Sequence, residues 1–156
     1  MNQNVKKILF GCILIFLMIQ LIRPARNIDY GQLPSSDISK VYQIPEKIQS
    51  ILRNSCYDCH SNSTDYPVYS YIQPLSFYLE NHIQKGKKEL NFNEWGHYSD
   101  RKQANKLESI LNQIQQKKMP LPSYIYLHHG AKLSEKQIEE MASWIGRIQA
   151  ENGKAK

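Results

Sequence analysis

The chain has 156 residues and a net charge of +6, from 20 Lys+Arg against 14 Asp+Glu, which is room for one domain and an appendage. A hydrophobic fraction of 41% with 22% charged residues excludes a wholly disordered chain. From Pro45 onward the count is 15 basic against 12 acidic residues; that bias is too small for a nucleic-acid partner, and no nucleic-acid-binding motif is present.

In chain order, residues 1–7 carry Lys6 and Lys7, and residues 8–22 form an apolar run closed by Arg23-Pro24. Fifteen helical residues reach ~22 Å, short of a ~30 Å hydrocarbon core. Snorkelling of Lys7 and Arg23 covers the difference. No small-x-small cleavage site follows the run. A lipoprotein reading through Cys12 fails because too few apolar residues precede it. Residues 8–22 are therefore expected as an uncleaved transmembrane anchor, with a cleaved signal segment as the alternative. Lys6 and Lys7 orient the anchor with its N-terminus in the cytoplasm and the rest on the periplasmic or extracytoplasmic side. Residues 23–44, with Pro24, Gly31, Pro34 and Ser35-Ser36, are expected as a tether.

Residues 45–156 read as one all-α domain. Ile48, Ile51 and Leu52 recur at helical spacing after Pro45 and lead straight into Cys56. A second helix is expected from about Pro74, with Ile72, Leu75, Leu79, His82 and Ile83 on one side and Gly86 as its stop. Asp100 and Gln103 cap a third helix, with Ala104, Leu107, Leu111 and Ile114 as its stripe. That helix is expected to end at Lys117-Lys118-Met119-Pro120. Ser134 and Gln137 start a fourth, whose face is Ile138, Met141, Ala142, Ile145 and Ile148.

Cys56-Tyr57-Asp58-Cys59-His60 is the attachment pattern of a c-type haem. Two thiols three apart on a helical turn add across the porphyrin vinyl groups, and the adjacent His60 becomes the proximal iron ligand. A thioredoxin-like dithiol wants a βαβ context that is missing. Zinc wants a second Cys/His pair, and a Cys56–Cys59 disulfide would constrain little. The cofactor expected is one covalently attached haem c. Met119, freed by the helix-breaking Pro120, is the expected distal ligand, a soft thioether that favours ferrous iron. His128 and His129 are its rivals, whereas His82 reads as a core residue. His97 is expected as a propionate or surface partner. Tyr66, Tyr69, Tyr71, Trp95, Tyr124 and Tyr126 are candidates to line the pocket. Lys117-Lys118 is either a basic rim for an acidic partner or a solvated helix end.

From about Pro45 onward the chain resembles the bacterial haem-binding domain family of small, membrane-anchored, single-haem c-type cytochromes. The matching stretches are Cys56–Asn62, Tyr66-Pro67-Val68-Tyr69-Ser70, Leu90-Asn91-Phe92-Asn93-Glu94-Trp95 and Met119-Pro120-Leu121-Pro122-Ser123-Tyr124. The resemblance implies haem held by Cys56, Cys59 and His60, Met119 as distal ligand, and packing of N- and C-terminal helices as in cytochrome c folds. It also implies electron transfer, with fusion to or proximity to cytochrome c peroxidase modules. The combined expectation is a cytochrome c-like, non-enzymatic carrier of single electrons with a redox partner protein. A haem-based sensor or gas binder, and an accessory module of a peroxidase system, stay as alternatives.

Overall fold

The computed structural model describes residues 2–31 and 33–154. Met1, which carries the terminal amine of the expected cytoplasmic end, Gln32 of the expected tether, and the last two residues of the expected domain lie outside the described residues. Eight α-helices occur among the described residues: α1 Gln3–Ile19, α2 Ile38–Val41, α3 Glu46–Ser55, α4 Tyr57–His60, α5 Leu75–Glu89, α6 Asp100–Gln115, α7 Pro122–Leu127 and α8 Glu135–Lys154. Three 3-10 segments, Val68–Tyr71, Phe92–His97 and His129–Ala131, join them, and there is no strand among the described residues. The all-helical expectation holds.

The core is a helical cluster built by α3, α6 and α8. Ile48, Ile51 and Leu52 of α3 meet Leu107 and Ile114 of α6 and Ile138, Met141, Trp144, Ile145 and Ile148 of α8. Each such side chain contributes roughly 1.5–3 kcal/mol by leaving water. Leu52, Leu107 and Ile145 are fully buried, so truncating any of them to Ala costs about 2–5 kcal/mol. The first helix of the domain and the last pack together, as expected. The α6 stripe is narrower than its spacing suggests, because Ala104 is exposed. On α8 the buried face also takes in Trp144.

On α5 the expected apolar stripe is displaced. Ile72 and Leu75 are exposed, and the buried residues are Ser76, Glu80 and Ile83. Gly86 does not stop the helix, which runs on to Glu89. The cause lies in what α5 packs on: it lies across α4 and the 3-10 turn Val68–Tyr71, a polar neighbourhood joined by hydrogen bonds.

The segment expected as a tether packs on the domain. Asn27, Ser36, Asp37 and Ile38 are buried, and Ile38 belongs to the core. Asn27 donates to the Ser61 carbonyl and Thr64 Oγ1, both at 2.9 Å. Its own carbonyl accepts from Thr64 N, and Lys87 Nζ donates to Asn27 Oδ1 at 2.6 Å. Hydropathy windows miss such a segment because its attachment is polar.

The apolar run 8–22 is not one helix. Helix α1 starts at Gln3 and ends at Ile19, about 25 Å by helical rise, and no helix among the described residues is long and apolar enough to cross a membrane. Gln20 explains the early end. Gln73 N donates to Gln20 Oε1 at 2.9 Å, and Gln73 Nε2 donates to the Ile22 carbonyl at 2.8 Å. No α1 side chain is buried.

Candidate functional site

Helix α3 delivers its C-terminus to Cys56, whose φ of −129° breaks the helix. The following turn, α4, carries Asp58, Cys59 and His60. Its start is closed by His60 N donating to the Cys56 carbonyl at 3.0 Å. This turn places Cys56 and Cys59 on one wall of a recess and His60 beside them.

The recess has two lobes of about 240 and 250 Å³ that share Ser55, Cys56, His60, Glu89, Met119 and Pro120. One lobe extends along α6 past Lys106, Ile110 and Ile114. The other extends along α5 and α7 past Cys59, His82, Gly86 and Tyr124. Cys56, Cys59, His60 and Met119, separated by up to 63 residues in sequence, thus line one apolar recess.

His60 is held in one tautomer. Its Nδ1 lies 3.0 Å from the carbonyl oxygens of both Gly86 and Leu90. Two acceptors at one ring nitrogen require a proton there, which leaves Nε2 with a free lone pair. Phe92, 1% exposed, stands edge-on to the ring with centroids 6.3 Å apart. Burial lowers the imidazole pKa below its ordinary 6.5, against the pull of the two carbonyls and with the help of the Lys106 charge. A neutral imidazole with an oriented lone pair is the form that binds iron.

Gly86 makes this arrangement possible. A Cβ there would lie 2.6 Å from the Cys59 carbonyl oxygen and 3.2 Å from Cys59 Cβ. Only a residue without a side chain lets α5 approach closely enough for its carbonyl to reach His60.

Both thiols are largely out of water. Burial, with the Cys59 charge second, pushes Cys56 up to about 12. Burial, with Asp58 second, pushes Cys59 up to about 11. They face the recess as protonated thiols, free of any disulfide.

Met119 reaches the recess through the end of α6. Lys117 takes φ 55°, Lys117 N donates to the Ile114 carbonyl, and Lys118 N donates to the Gln113 carbonyl. This left-handed cap closes the helix at Gln115, four residues before Met119 and earlier than expected. The same Gln113 carbonyl accepts from Met119 N at 3.2 Å, so the backbone that carries the thioether is anchored.

Of the expected pocket aromatics only Tyr124 lines the recess. Its Oη donates to Asp58 Oδ2 at 2.5 Å. Trp95 is core, and Tyr71 and Tyr126 are exposed. His128 stacks on Tyr124, with centroids 4.2 Å apart; neither it nor His129 lines the recess. His97 is exposed and lies on the surface side of its segment. His82, read from sequence as a core residue, does line the recess. Its Nδ1 is 2.8 Å from the Tyr78 carbonyl, which leaves its Nε2 free. Lys117 is ion-paired with Glu135 at 2.6 Å, and neither it nor the exposed Lys118 lines the recess.

A polar network behind the site had no periodic signal in the sequence. Asn93 Oδ1 accepts from Asn62 N at 2.6 Å, and Asn93 Nδ2 donates to Asp37 Oδ2 at 2.8 Å. Asn91 Nδ2 donates to Asn62 Oδ1 at 2.8 Å. These bonds fasten the loop after His60 to the segment that carries Phe92.

The residues fit a haem. The recess has a mainly apolar lining, an imidazole with Nε2 free, two thiols at the c-type spacing and a thioether in the same lining.

Comparison with known proteins bears on the same reading. The model of the haem-binding domain family matches residues 14–147. A relative, the cytochrome c peroxidase Ccp of Escherichia coli (strain K12), is 29% identical over 112 residues, covering 67% of this chain and 23% of that protein. The chain thus spans about a quarter of that relative's length. No solved structure matches at the same level of significance.

Proposed function

The chain belongs to the haem-binding domain family, and we propose that it is a single-haem c-type cytochrome that passes electrons one at a time. Cys56 and Cys59 hold the porphyrin through thioethers, His60 is the proximal iron ligand and Met119 the distal one, in a cytochrome c-like arrangement. The observation that carries the reading is the convergence of these four side chains on one recess, with the His60 tautomer set by Gly86 and Leu90.

When bound, the haem supplies reversible one-electron iron chemistry. The chain's own part is orientation and exclusion of water. Gly86 and Leu90 accept the Nδ1 proton of His60 and so raise its basicity as a ligand. Leu90, Phe92, Ile110 and Ile114 give the recess a low dielectric. A neutral thioether in that setting favours the reduced state.

Helix α1 supports attachment to a membrane. Its large apolar side chains, from Ile8 to Met18, are all exposed, and an all-round apolar helix has no place in water. With Lys6 and Lys7 in the cytoplasm, and with the bilayer thinned and Lys7 and Arg23 snorkelling to make up for the shortness of α1, the haem domain, from 45 to 156, lies on the periplasmic side. Redox partner proteins complete the reading. The partial likeness to a cytochrome c peroxidase supports a second one, in which this domain feeds electrons to a peroxidase system.

The test is an absorption spectrum of the haem-matured protein, oxidised and reduced, beside Met119→Ala. A low-spin wild type with a weak red iron–sulfur band, lost in the variant, is the expected result. A wild type without that band, unchanged in Met119→Ala, removes Met119 from the iron and makes His82 the ligand to test. Rapid carbon monoxide binding to the reduced wild type would favour a sensor.

A further inference from the structure

Among the charged side chains that line the recess, Glu89 of α5 borders both lobes, Lys106 borders the lobe along α6, and Asp58 and Lys85 border the other. Lys106 combines three features. It lines the α6 lobe, its side chain is only 26% exposed, and its nearest carboxylate, Glu89, is 4.0 Å away and 80% exposed. A half-sequestered ammonium with so long an ion pair lacks most of the compensation that burial demands. An anion inside the recess would supply it.

The expected cofactor brings such an anion. Its vinyl groups are taken by Cys56 and Cys59, so its two carboxylates extend to the side of the macrocycle away from the thioethers. We propose that Lys106 binds a haem propionate, giving up its long contact with Glu89 for a carboxylate inside the recess. The inference rests on the haem reading above and assigns a residue to it. Lys106 suits the role because α6 is anchored in the core by Leu107, its neighbour, which is 0% exposed. Glu89, on the solvent side, is free to swing away.

The experiment compares the haem-matured wild type with Lys106→Met, which keeps the stem and removes the charge, Lys106→Arg, which keeps the charge, and Lys85→Met. Resonance Raman spectra read the propionate bending band, and potentiometry reads the midpoint. In Lys106→Met the bending band is expected to shift to lower frequency and the midpoint potential to fall, with the axial-ligand spectrum unchanged. Lys106→Arg is expected to keep both near the wild-type values. A bending band unmoved in Lys106→Met, or moved only in Lys85→Met, overturns the assignment while leaving the haem reading intact. Absence of covalent haem in the wild type would sink the haem reading itself, a result visible before any lysine variant is compared.

Discussion

The Gly86 carbonyl accepts the Nδ1 proton of His60 at 3.0 Å, and Gly86 is also where α5 nearly touches the backbone of Cys59. One residue therefore sets both the packing distance of a helix and the tautomer of His60. Helix propensity alone favours Gly86→Ala by about 1 kcal/mol. The 2.6 Å approach to a backbone oxygen reverses that sign, since a backbone atom cannot rotate away. Gly86→Ala is expected to lower stability by about 1–3 kcal/mol and to reduce haem incorporation. Thermal unfolding and the haem-to-protein absorbance ratio check both, and a stabilised variant would refute the packing argument.

Tyr124→Phe removes the donor to Asp58 Oδ2 and keeps the stacking on His128. Asp58 also accepts from Asp65 N at 3.1 Å, and its carbonyl accepts from Thr64 Oγ1, so it is the hub that ties α7 and the loop after His60 to α4. The lost bond to a half-buried carboxyl costs about 1–2 kcal/mol. Denaturant unfolding measures the cost, and a double-mutant cycle with Asp58→Asn isolates the pair.

Asn93→Ala breaks two bonds at once, leaving Asn62 N and the fully buried Asp37 each short of a partner. The expected loss is on the order of 3 kcal/mol. Limited proteolysis is expected to cut first between residues 61 and 67, where the loop is no longer held. Wild-type resistance at that loop in the variant would show that the network does not fasten it.

The haem-free chain is expected to lose stability at both ends of the pH scale. His60 is depressed below 6.5 by burial, so the unfolded chain takes up a proton that the fold resists; its contribution is present above 6.5 and lost as pH falls. Cys56 and Cys59 are raised from 9.0 to about 12 and about 11, so their contribution is complete below 9 and lost as pH rises toward those values. Thioether formation removes both thiols from titration. The alkaline loss is then expected to shrink to the tyrosines, among them Tyr66, pushed up to about 12 by burial and its bond to Glu80. Urea midpoints of the reduced haem-free and haem-attached proteins across pH make the comparison.

Much of this protein was legible in its sequence. Helical spacing identified the core faces of α3 and α8, because Ile48, Ile51, Leu52, Ile138, Met141, Ile145 and Ile148 bury apolar surface, and burial of that kind leaves a periodic trace. The Cys56–His60 spacing pointed to a haem, and the chain belongs to a haem-binding family. Met119 before Pro120 was singled out by the helix break, and it does line the recess.

Tertiary structure alone decided the rest. The attachment of Asn27, Ser36 and Asp37 and the early end of α1 at Gln20 depend on hydrogen bonds between residues 34 to 57 apart, and the burial of Glu80 on α5 goes with a bond from Tyr66 Oη. A polar residue reads as exposed until its partner is in place, so no window along the chain reveals such a contact. His82 and Lys106 entered the recess, and His97, His128 and His129 left it, for the same reason. Which charged or ligating side chains face a cavity is set by how helices cross, and that geometry is a property of the packed core rather than of any local stretch.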